Sequence, residues 1–548
     1  MEKCKLEDVI PAGETAARIV KNMGRMHDRI YRPGVAGTSE AENVGWPGDW
    51  EGRAVLALSL EARALNMEPA YLDKLVDWIF HNCNEEGYRG DIIDFSSINE
   101  QSLAGHSWLL RGLIEYYNWK KDSRVLEKIK QIVQKLYLPT KGKYIYYPKK
   151  PDERVYDGKA AGELTGLEFS GWKVSSDTGC AFISLDGLSH VYELIGDPEL
   201  LELLEEMISV FMTIDFVGIS MQTHATLTAC RGIMRLYSIH GNPEYLSFCQ
   251  KMFEVYKQEG MTENYANYNL FSRPSWTEPC GVIDSFMLAV FLWEASGNSS
   301  YIKDAHEIWY NGVCRGQRPN GGFGCDHCVE DGRVRTHENF YEAYWCCSMR
   351  GGEGTTFAST CSLRGEKERL QFLFYFDGKY QIPWIPGLVL SMESSYPRTG
   401  EIFIRIEQIP ETQNQVEFDF YIPKWAQNVR CIVGGTQVES RLEDSFLKTV
   451  IMPERGTEIC LQFEIPLFTM PVVGNQHKGS GLVTLRHGSL ILGTESQEKE
   501  VDVAQLKYKG NGVYSGGGRI FKPLDDAYMM ETEQLKEVSY RILFQNAE

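Results

Sequence analysis

The segment His190-Val-Tyr-Glu-Leu-Ile-Gly-Asp-Pro-Glu-Leu-Leu201 ends one predicted helix and begins the next. Gly196 is expected to take the left-handed backbone conformation that closes a helix, because it has no Cβ to clash. Asp197 then caps the following helix, and Pro198 occupies its first position, where the missing N–H is not needed. The segment therefore predicts two antiparallel helices joined by a short loop.

The same pattern recurs along the first two thirds of the chain. Close copies are Arg235-Leu-Tyr-Ser-Ile-His-Gly-Asn-Pro-Glu-Tyr-Leu246 and Phe291-Leu-Trp-Glu-Ala-Ser-Gly-Asn-Ser-Ser-Tyr-Ile302, and looser copies span 63–72 and 114–125. Helical hairpins that repeat in this way stack side by side. Six of them would close into an (α/α)6 toroid around a central cavity, and an open solenoid is the competing architecture. We predict the toroid for residues 1–365.

The hydrophobic pattern changes from about residue 366 onward. Segments such as 370–376 and 401–407 alternate apolar with polar residues, and Gly, Pro and Asn lie between them. A period of two bounded by turn residues is typical of antiparallel strands. We therefore predict a β-sandwich region over residues 366–548, with a division into two small sandwiches near residue 480 as an alternative.

Composition excludes several classes of partner. The chain has 548 residues and a formal net charge of −19, without a Lys/Arg cluster that would suit nucleic acid. No apolar run approaches the roughly 18 residues of a membrane span, and no basic segment followed by an apolar run begins the sequence. We therefore expect a cytoplasmic protein whose 14 cysteines are mostly reduced thiols.

Two cysteine-rich stretches are candidates for chemistry. The first is Tyr344-Trp-Cys-Cys-Ser-Met-Arg-Gly-Gly-Glu-Gly354, and the second is Trp276-Thr-Glu-Pro-Cys-Gly281, which stands just before an apolar helix. Three thiolates and one carboxylate drawn from them would complete a tetrahedral zinc shell. Each pattern is weak by itself, and cysteines that merely fill the core are the plain alternative.

A rival metal site uses Cys325-Asp-His-Cys328 together with Cys346 and Cys347. A Cys-x-x-Cys pair is the more usual zinc knuckle, and four protein ligands would leave the ion no open position. Such a site would be structural. Buried or loop thiols without a metal are the remaining interpretation of Cys325 and Cys328.

Taken together, motifs along most of the chain resemble one known family, the zinc-dependent cysteine glycoside hydrolases typified by the β-L-arabinofuranosidases. Glu278-Pro-Cys280 is similar to the family's Glu-Thr-Cys, and Met221-Gln-Thr-His-Ala-Thr226 is similar to its Asn-Thr-His-Ile-Pro. Further matching stretches are Gly48-Asp-Trp-Glu-Gly-Arg-Ala-Val55, Tyr301-Ile-Lys-Asp-Ala-His-Glu-Ile-Trp-Tyr-Asn-Gly312, 340–353, Tyr421-Ile-Pro-Lys-Trp-Ala426 and Val483-Thr-Leu-Arg-His-Gly-Ser-Leu-Ile-Leu492. Their common order along the chain makes the resemblance specific.

The resemblance implies a site and a reaction. Glu278, Cys280, Cys346 and Cys347 would hold Zn²⁺, and Cys346 would also be the nucleophile. A zinc-bound thiol stays ionised near neutral pH, where a free cysteine is mostly protonated. Attack on the anomeric carbon would give a thioglycosyl intermediate and a retaining, exo-acting hydrolase. L-Arabinofuranosides or a related sugar are the implied substrates.

The acid/base carboxylate is implied less clearly. The family carries Glu-x-aromatic shortly before Glu-Thr-Cys, and Glu263-Asn-Tyr265 is the nearest match. Glu263 would protonate the leaving oxygen and later activate water. Glu259 is the rival, and an ordinary solvated loop glutamate is the plain alternative.

Four residues are expected to bind the sugar. His106 and His224 occupy similar places on helices that should face the cavity, although a lone helical histidine is more often a core residue. Asp49 and Trp50 open the first inner helix, where a capping aspartate is the competing interpretation. Trp172 and Asp177 are weaker candidates before another inner helix. Arg350 departs from the family pattern, and we expect it to reach an acidic sugar group or solvent.

Two other functions compete with the glycosidase. A sugar epimerase would use His106 and His224 as bases, with cysteines that are only structural. A non-catalytic carbohydrate-binding protein would use zinc only to brace its fold. In each case the expected partner is a small carbohydrate, with no nucleic acid and no membrane. A homodimer is compatible with the sequence, which leaves the sugar, its linkage and the oligomeric state open.

Overall fold

A computed structural model describes residues 1–37, 45–154, 162–410, 414–472, 474 and 476–546 of the chain. Within these ranges the helices are α1 (Gly13–Met26), α2 (Asp49–Leu65), α3 (Leu72–His81), α4 (Glu100–Lys120), α5 (Ser123–Ile132), α6 (Ser184–Ile195), α7 (Pro198–Phe211), α8 (Thr223–His240), α9 (Pro243–Glu259), α10 (Pro279–Ser296), α11 (Ser299–Ile308), α12 (Cys314–Gly316), α13 (Cys347–Ser359) and α14 (Thr532–Glu537).

The strands of the same ranges are β1 (Glu2–Lys3), β2 (Val9–Pro11), β3 (Ile98–Asn99), β4 (Leu164–Phe169), β5 (Trp172–Ser175), β6 (Arg333–Arg335), β7 (Leu363–Glu366), β8 (Arg369–Phe372), β9 (Gly378–Gln381), β10 (Val389–Ser394), β11 (Glu401–Gln408), β12 (Val416–Tyr421), β13 (Gln427–Val433), β14 (Thr436–Gln437), β15 (Arg441–Glu443), β16 (Phe446–Ile451), β17 (Glu458–Glu464), β18 (Leu467–Pro471), β19 (Val483–His487), β20 (Leu490–Gly493), β21 (Glu500–Val501), β22 (Lys507–Gly510), β23 (Val513–Gly516), β24 (Arg519–Pro523), β25 (Ser539–Arg541) and β26 (Leu543–Asn546).

The helical hairpins form where the repeated motif predicts them. Gly196 ends α6 with a φ of 65°, and the Asp197 side chain accepts a hydrogen bond from the backbone N–H of Glu199 at the start of α7. Gly241 and Asn242 do the same between α8 and α9. The cap chemistry therefore sets the turns of the antiparallel pairs.

Six inner helices form a closed ring. Consecutive members of the series α2, α4, α6, α8, α10 and α13 pack against each other, and α13 packs back against α2. The outer helices α1, α3, α5, α7, α9 and α11 each pack on an inner neighbour. The contact between α13 and α2 closes the circle, so the predicted (α/α)6 toroid is confirmed and the open solenoid is wrong.

Small residues bring the inner helices close together. A Cβ at Gly52 of α2 would lie 2.4 Å from the Cα of Leu109 in α4, and one at Gly232 of α8 would lie 2.4 Å from backbone atoms of Leu185 in α6. Larger side chains would force these pairs apart.

Helix α10 is long and apolar enough to cross a membrane by length and composition, but 78% of it is buried among these neighbours.

The β-rich region consists of three main antiparallel sheets. One sheet has the order β1-β7-β8-β12-β16-β15, with β8 and β12 parallel, and a second has the order β14-β13-β17-β11-β10-β9-β2. The third sheet has the order β21-β26-β19-β20-β24-β23-β22, with β18 paired to β19. The predicted antiparallel β region is confirmed as part of the fold class.

The N-terminal residues join this region rather than the ring. Strand β1 pairs with β7 and β2 pairs with β9, although both lie within the range assigned to the toroid. The last helix of the ring ends at Ser359, and β7 begins at Leu363. The first two sheets share one continuous hydrophobic core with the toroid. The strands of the third sheet begin later in the chain, at Leu467. The division of the chain at residue 365 stays a prediction.

Candidate active site and metal centre

A cavity of about 310 Å³ opens at the amino-terminal ends of the inner helices. Asp49, Ile183, Gln222, Glu278 and Cys346 stand at or beside the first residues of five of these helices and line it. The remaining lining residues are Trp46, Arg53, Gly162, Glu163, Asp177, His224, Asn269, Trp276, Cys325, Phe340, Ala343, Tyr344, Trp345 and Cys347. Helix amino termini carry partial positive charge, so this cavity favours negatively charged groups.

Four predicted ligands meet at one corner of the cavity. The ligand atoms of Glu278, Cys280, Cys346 and Cys347 all lie within 4.8 Å of one another, and we call these four residues the sulfur cluster. The Sγ atoms of Cys280 and Cys347 are 3.4 Å apart, as are those of Cys346 and Cys347. These distances suit a tetrahedral shell, because metal–sulfur bonds of about 2.3 Å place the ligands about 3.8 Å apart.

Neighbouring helices explain how residues so distant in sequence meet. Glu278 is the N-cap of α10 and Cys280 lies in its first turn. Cys346 is the N-cap of α13 and Cys347 is its first residue. Because α10 and α13 are adjacent in the ring, the two helix starts lie side by side.

The sulfur cluster cannot ionise fully by itself. Burial and the nearby Cys280 raise the pKa of the Glu278 carboxyl well above its ordinary value. Burial would raise the pKa of the Cys280 thiol too, but hydrogen bonds from Cys346 and Cys347 and the charge of Arg53 hold it well below its usual range. The hydrogen bond to Cys280 raises the pKa of Cys346. Four acidic groups around one point therefore keep shared protons unless a cation takes the place of those protons.

Arg53 supports the sulfur cluster from α2. Its Nε donates to Asp49 at 2.9 Å and its Nη1 lies 3.5 Å from the Cys280 sulfur. The guanidinium also stacks over the Trp108 ring, 4.2 Å from the ring centre. Sequence inspection missed Arg53, although its place four residues after Asp49 is the helical spacing of an ion pair.

His224 faces the cavity in a fixed orientation. Its Nδ1 lies 2.6 Å from Asp284 Oδ2, and its ring stacks on Trp108 at 5.8 Å between centres. The Nε2 atom has no hydrogen-bond partner among the described residues. Since Asp284 accepts the Nδ1 proton, Nε2 is free to accept a hydrogen bond from a ligand hydroxyl.

Below the cavity lies a set of buried charges that we call the ion network. Its members are Arg111, Arg231, Arg350, Asp186, Asp284 and Glu353, each 4% exposed or less. Asp284 contacts Arg231 and Arg350, and Glu353 contacts Arg111, Arg231 and Arg350. Arg350 is fully buried, so the expectation that it reaches a sugar acid or solvent is wrong.

Models of two domains of one family match the chain. The β-L-arabinofuranosidase GH127 catalytic domain matches residues 186–359, and the GH127 middle domain matches residues 370–465. Both matches follow the same order along the chain as the helical ring and the β region. The chain belongs to glycoside hydrolase family 127.

Solved structures share the fold of this family 127 chain from end to end. A glycoside hydrolase matches with a TM-score of 0.73 and 13% identity, covering 100% of this chain and 98% of its own. A GH127 β-arabinofuranosidase matches with a TM-score of 0.69 and 12% identity, covering 100% and 98%. A GH127 β-L-arabinofuranosidase from Geobacillus stearothermophilus T6 matches with a TM-score of 0.69 and 13% identity, covering 98% and 100%. The comparison with curated proteins gives no match.

Membership of family 127 confirms the predicted resemblance and makes the protein a glycoside hydrolase with a carbohydrate substrate. The buried carboxylate and thiols of the sulfur cluster form a group that can bind a metal.

In this family 127 fold, His106 and Trp50 lie outside the cavity lining. The His106 Nδ1 lies 2.6 Å from the Ser102 carbonyl oxygen, and its Nε2 accepts from the backbone N–H of Arg89 at 3.0 Å. Both ring nitrogens are therefore engaged by backbone. Trp50 is fully buried against the rings of Tyr31 and Tyr344. The structure brings Asp49 and His224 to the cavity, but not these two.

The predicted acid/base carboxylates also lie elsewhere. Glu263 forms a close ion pair with His477, a residue of the loop between β18 and β19, and it is not among the residues that line the cavity. Glu259 ends α9 and its carboxylate accepts from Ser272 at 3.3 Å. Asp177, the weaker candidate, does line the cavity. Burial raises the pKa of Asp177 to about 6, although a hydrogen bond from the backbone N–H of Gly162 lowers it.

The rival Cys-x-x-Cys site is not assembled. Cys325 lines the cavity beside Cys347, whereas the Cys328 sulfur lies 4.0 Å from the Asn267 carbonyl oxygen. Among the described residues, the compact group around Cys346 and Cys347 contains Glu278 and Cys280 instead. Cys325 is nevertheless close to that group.

Proposed function

We propose that the chain is a retaining, exo-acting glycosidase of L-arabinofuranosides or a related sugar, with a zinc-bound cysteine thiolate as nucleophile. The observation that carries the proposal is the sulfur cluster, which opens into the cavity of a family 127 fold. A cavity of about 310 Å³ is at the small end of ligand pockets. That size suits one terminal sugar residue better than the middle of a long chain.

Zinc is the metal that best fits these ligands. Three sulfurs and one carboxylate oxygen in a tetrahedral arrangement are typical of Zn²⁺, because thiolates select softer ions than Mg²⁺ or Ca²⁺. Glu278, Cys280, Cys346 and Cys347 would hold it. When bound, zinc keeps the thiols ionised at neutral pH.

Cys346 is the proposed nucleophile because it is the most accessible sulfur of the cluster. It is partly exposed and lines the cavity, whereas Cys280 and Cys347 are fully buried. The Cys346 thiolate donates a lone pair to the anomeric carbon while the glycosidic C–O bond breaks toward the leaving oxygen. Water then attacks the same carbon from the other side and returns the electron pair to sulfur. Two inversions give net retention.

For the acid/base, two carboxylates compete. The family pattern points to Glu263, but its ion pair with His477 holds it away from the cavity. Asp177 lines the cavity with Glu278 and Cys346, and its raised pKa keeps more of the acid form at neutral pH than an ordinary aspartate has. Geometry favours Asp177 as the group that protonates the leaving oxygen and later takes a proton from water.

Sugar binding is assigned to the remaining polar and aromatic lining. His224 Nε2 would accept from one sugar hydroxyl, and Asp49, already fixed by Arg53, from another. The lining aromatic side chains Trp46, Trp276, Phe340, Tyr344 and Trp345 would cover the apolar faces of the sugar and its leaving group. His106 and Trp50 are left out of this proposal because the cavity does not reach them.

The test is a screen of aryl glycosides with the parent chain and Cys346→Ser, each with and without a zinc chelator. We expect the parent to hydrolyse an L-arabinofuranoside or a related glycoside, and the chelator to stop turnover. Cys346→Ser should lose at least about 10³-fold in kcat, while the control Cys328→Ser retains activity. Full turnover by Cys346→Ser would reject the nucleophile assignment.

The same screen separates the competing functions. An epimerase that uses two histidines needs both in the cavity, and His106 is held by backbone groups outside it. Such an enzyme would interconvert free sugars and would tolerate Cys346→Ser. Hydrolysis with retained anomeric configuration, measured by proton NMR early in the reaction, supports the glycosidase instead.

A further inference from the structure

Three potential metal ligands lie together at the rim of the cavity, outside the sulfur cluster. The ligand atoms of His327, His337 and Glu338 all lie within 4.8 Å of one another, and we call these three residues the rim cluster. The His337 ring stacks on Phe340 at 4.7 Å between ring centres and meets Trp276 edge-on at 6.3 Å. Since Phe340 and Trp276 line the cavity, the rim cluster adjoins the cavity mouth.

Backbone pairing places the two histidines on one face of a short antiparallel ladder. Asp326 and Thr336 form an antiparallel bridge, and the N–H of His327 donates to the Arg335 carbonyl at 2.9 Å. Each histidine is the residue that follows a member of the bridge, so both side chains project from the face opposite to Asp326 and Thr336. The rings of His327 and His337 stack with their centres 4.4 Å apart.

The other face of the same ladder is anchored in the protein interior. Asp326 forms ion pairs with buried Arg315 at 3.1 Å and with buried Arg318 at 3.0 Å. The Thr336 hydroxyl donates to the Leu535 carbonyl at 2.6 Å. These contacts fix the backbone on both sides of the bridge. The two histidines therefore stand on a rigid support, which favours metal binding over a site on a free loop.

The nitrogen and oxygen atoms of the rim cluster are accessible to an ion. The Nε2 of His327 is in close contact with Glu338 Oε2, and these side chains are 22% and 72% exposed. A metal can replace the proton that links this pair, because metal binding releases protons from its ligands. The Nδ1 of His337 accepts from the backbone N–H groups of Asn339 and Phe340 at 3.2 and 3.3 Å. Both contacts are longer than usual, so this lone pair can turn to a metal.

We propose that the rim cluster binds one divalent transition-metal ion, such as Zn²⁺, Co²⁺ or Ni²⁺, at a site separate from the sulfur cluster. Two imidazoles and one carboxylate form a ligand set that suits these ions, and water fills the remaining positions. Metal–ligand bonds of about 2.0–2.1 Å place such ligands about 3.3 Å apart. The three side chains close around the ion to reach that spacing, which the exposure of Glu338 permits. The inference does not depend on the proposed glycosidase activity.

The rim cluster should bind the ion more weakly than the sulfur cluster. It offers three ligands at a solvent-facing edge, against four ligands at a buried corner. Arg335 lies directly across the ladder from His327, on the same face, and its positive charge opposes a bound cation. We therefore expect the sulfur cluster to fill first and the rim cluster second.

The test is equilibrium dialysis of the whole chain against Co²⁺, followed by metal analysis and absorption spectroscopy. The parent should take up two equivalents. The first should produce sulfur-to-cobalt charge-transfer absorption in the near ultraviolet, and the second should not, because its ligands are nitrogen and oxygen. Cys280→Ala should lose the charge-transfer absorption and keep the weaker uptake. A parent without that absorption would reject the metal of the sulfur cluster, and the variants of the rim cluster would still decide the second site.

His337→Ala and Glu338→Gln are the deciding variants. Each should weaken the second uptake by at least about tenfold, since the loss of a mere partner of a ligand already costs about 10–100-fold. Arg335→Ala should tighten the same uptake by about threefold, because it removes an opposing charge. Circular dichroism checks that each variant is folded.

His81→Ala is the matched control, because His81 is an exposed histidine on α3 whose Nδ1 lies 2.6 Å from the Asp77 carbonyl oxygen. It should leave both uptakes unchanged. The same second uptake in His337→Ala as in the parent would overturn the rim site. An equal loss in His81→Ala would also overturn it, since the ion would then bind to surface histidines without preference.

Discussion

Helices α10 and α13 contribute to two groups of ionisable side chains that lie about one turn apart and differ in charge balance. In the ion network, three arginines face three carboxylates, and every charge has a partner of the other sign. In the sulfur cluster, four acidic groups face one another, and Arg53 is the cation in contact. The ion network and the sulfur cluster are both buried and both include residues of α10 and α13. Only in the ion network do the positive and negative charges balance.

The charge balance of each group separates structural buried charges from those of a ligand site. Burial lowers the pKa of Arg350 to about 10, and the adjacent Asp284 opposes that shift. The arginines in turn hold the pKa of Asp284 well below its ordinary value in spite of burial. The charges of the ion network therefore neutralise one another, whereas the sulfur cluster has acidic groups that an added cation could balance. A charge deficit in a cavity is a stronger sign of a ligand site than burial alone.

Breaking the ion network should give the largest effect on stability. Asp284→Ala removes one of the two carboxylates that buried Arg231 and Arg350 share, so the free energy of unfolding should fall by about 3–5 kcal/mol. Urea unfolding in the presence of a chelator measures it. Glu254→Ala, at an exposed position of α9, should change stability by less than about 0.5 kcal/mol. A loss below about 1 kcal/mol for Asp284→Ala would contradict the comparison.

Zinc binding at the sulfur cluster should give the second largest change in the free energy of unfolding. Free zinc at 100 times its Kd should raise the free energy of unfolding by about 2.7 kcal/mol, because only the folded chain brings the four ligands together. Thermal unfolding at several zinc concentrations measures this. Cys280→Ala should show little gain, while Cys328→Ala should gain as much as the parent. Equal gains in Cys280→Ala and the parent would place the ion elsewhere.

The effect of Glu278→Gln on the free energy of unfolding should have opposite signs in the metal-free and zinc-loaded states. Without metal, the variant should be at least as stable as the parent, since it removes an acid whose pKa is raised by burial and by Cys280. With zinc, it should bind the ion about tenfold more weakly. Thermal unfolding with a chelator tests the first expectation, and thermal unfolding with zinc tests the second. A loss of stability in chelator would show that the carboxylate is already balanced.

Asp177→Asn should lower kcat/KM most at low pH, where the parent carries the acid form, and progressively less as the pH rises. The folded pKa of Asp177 is raised to about 6 by burial, so its acid form is abundant below pH 6 and declines above it. The parent should therefore lose kcat/KM as pH rises through about 6, and Asp177→Asn should lack that limb and be slower, mainly on glycosides with poor leaving groups. The same behaviour in Glu263→Gln instead would return the acid role to Glu263.

Local chemistry made the ring predictable from sequence. The Gly-Asp-Pro and Gly-Asn-Pro turns at Gly196 and Gly241 determine backbone conformation within a few residues, and the structure follows them. The meeting of Glu278 with Cys346 was predicted through the family resemblance rather than from spacing. Adjacent helices in a closed ring supply the physical reason for it.

Long-range contacts explain what the sequence did not reveal. Glu263 is drawn to His477, a residue more than 200 positions later, and no local pattern signals that pairing. His106 looks like a cavity residue by helix position, yet the backbone at Ser102 and Arg89 engages both of its nitrogens. Strands β1 and β2 are only two and three residues long, too short for a period-two pattern to be visible.

Those two short strands have a consequence for biosynthesis. As the chain leaves the ribosome, residues 2–11 emerge long before their partners β7 and β9, which lie more than 350 positions later. Until then the early segment has nothing to bond with, and the edges of two sheets stay open to neighbouring nascent chains. A deletion of residues 2–11 should therefore reduce the yield of correctly assembled protein.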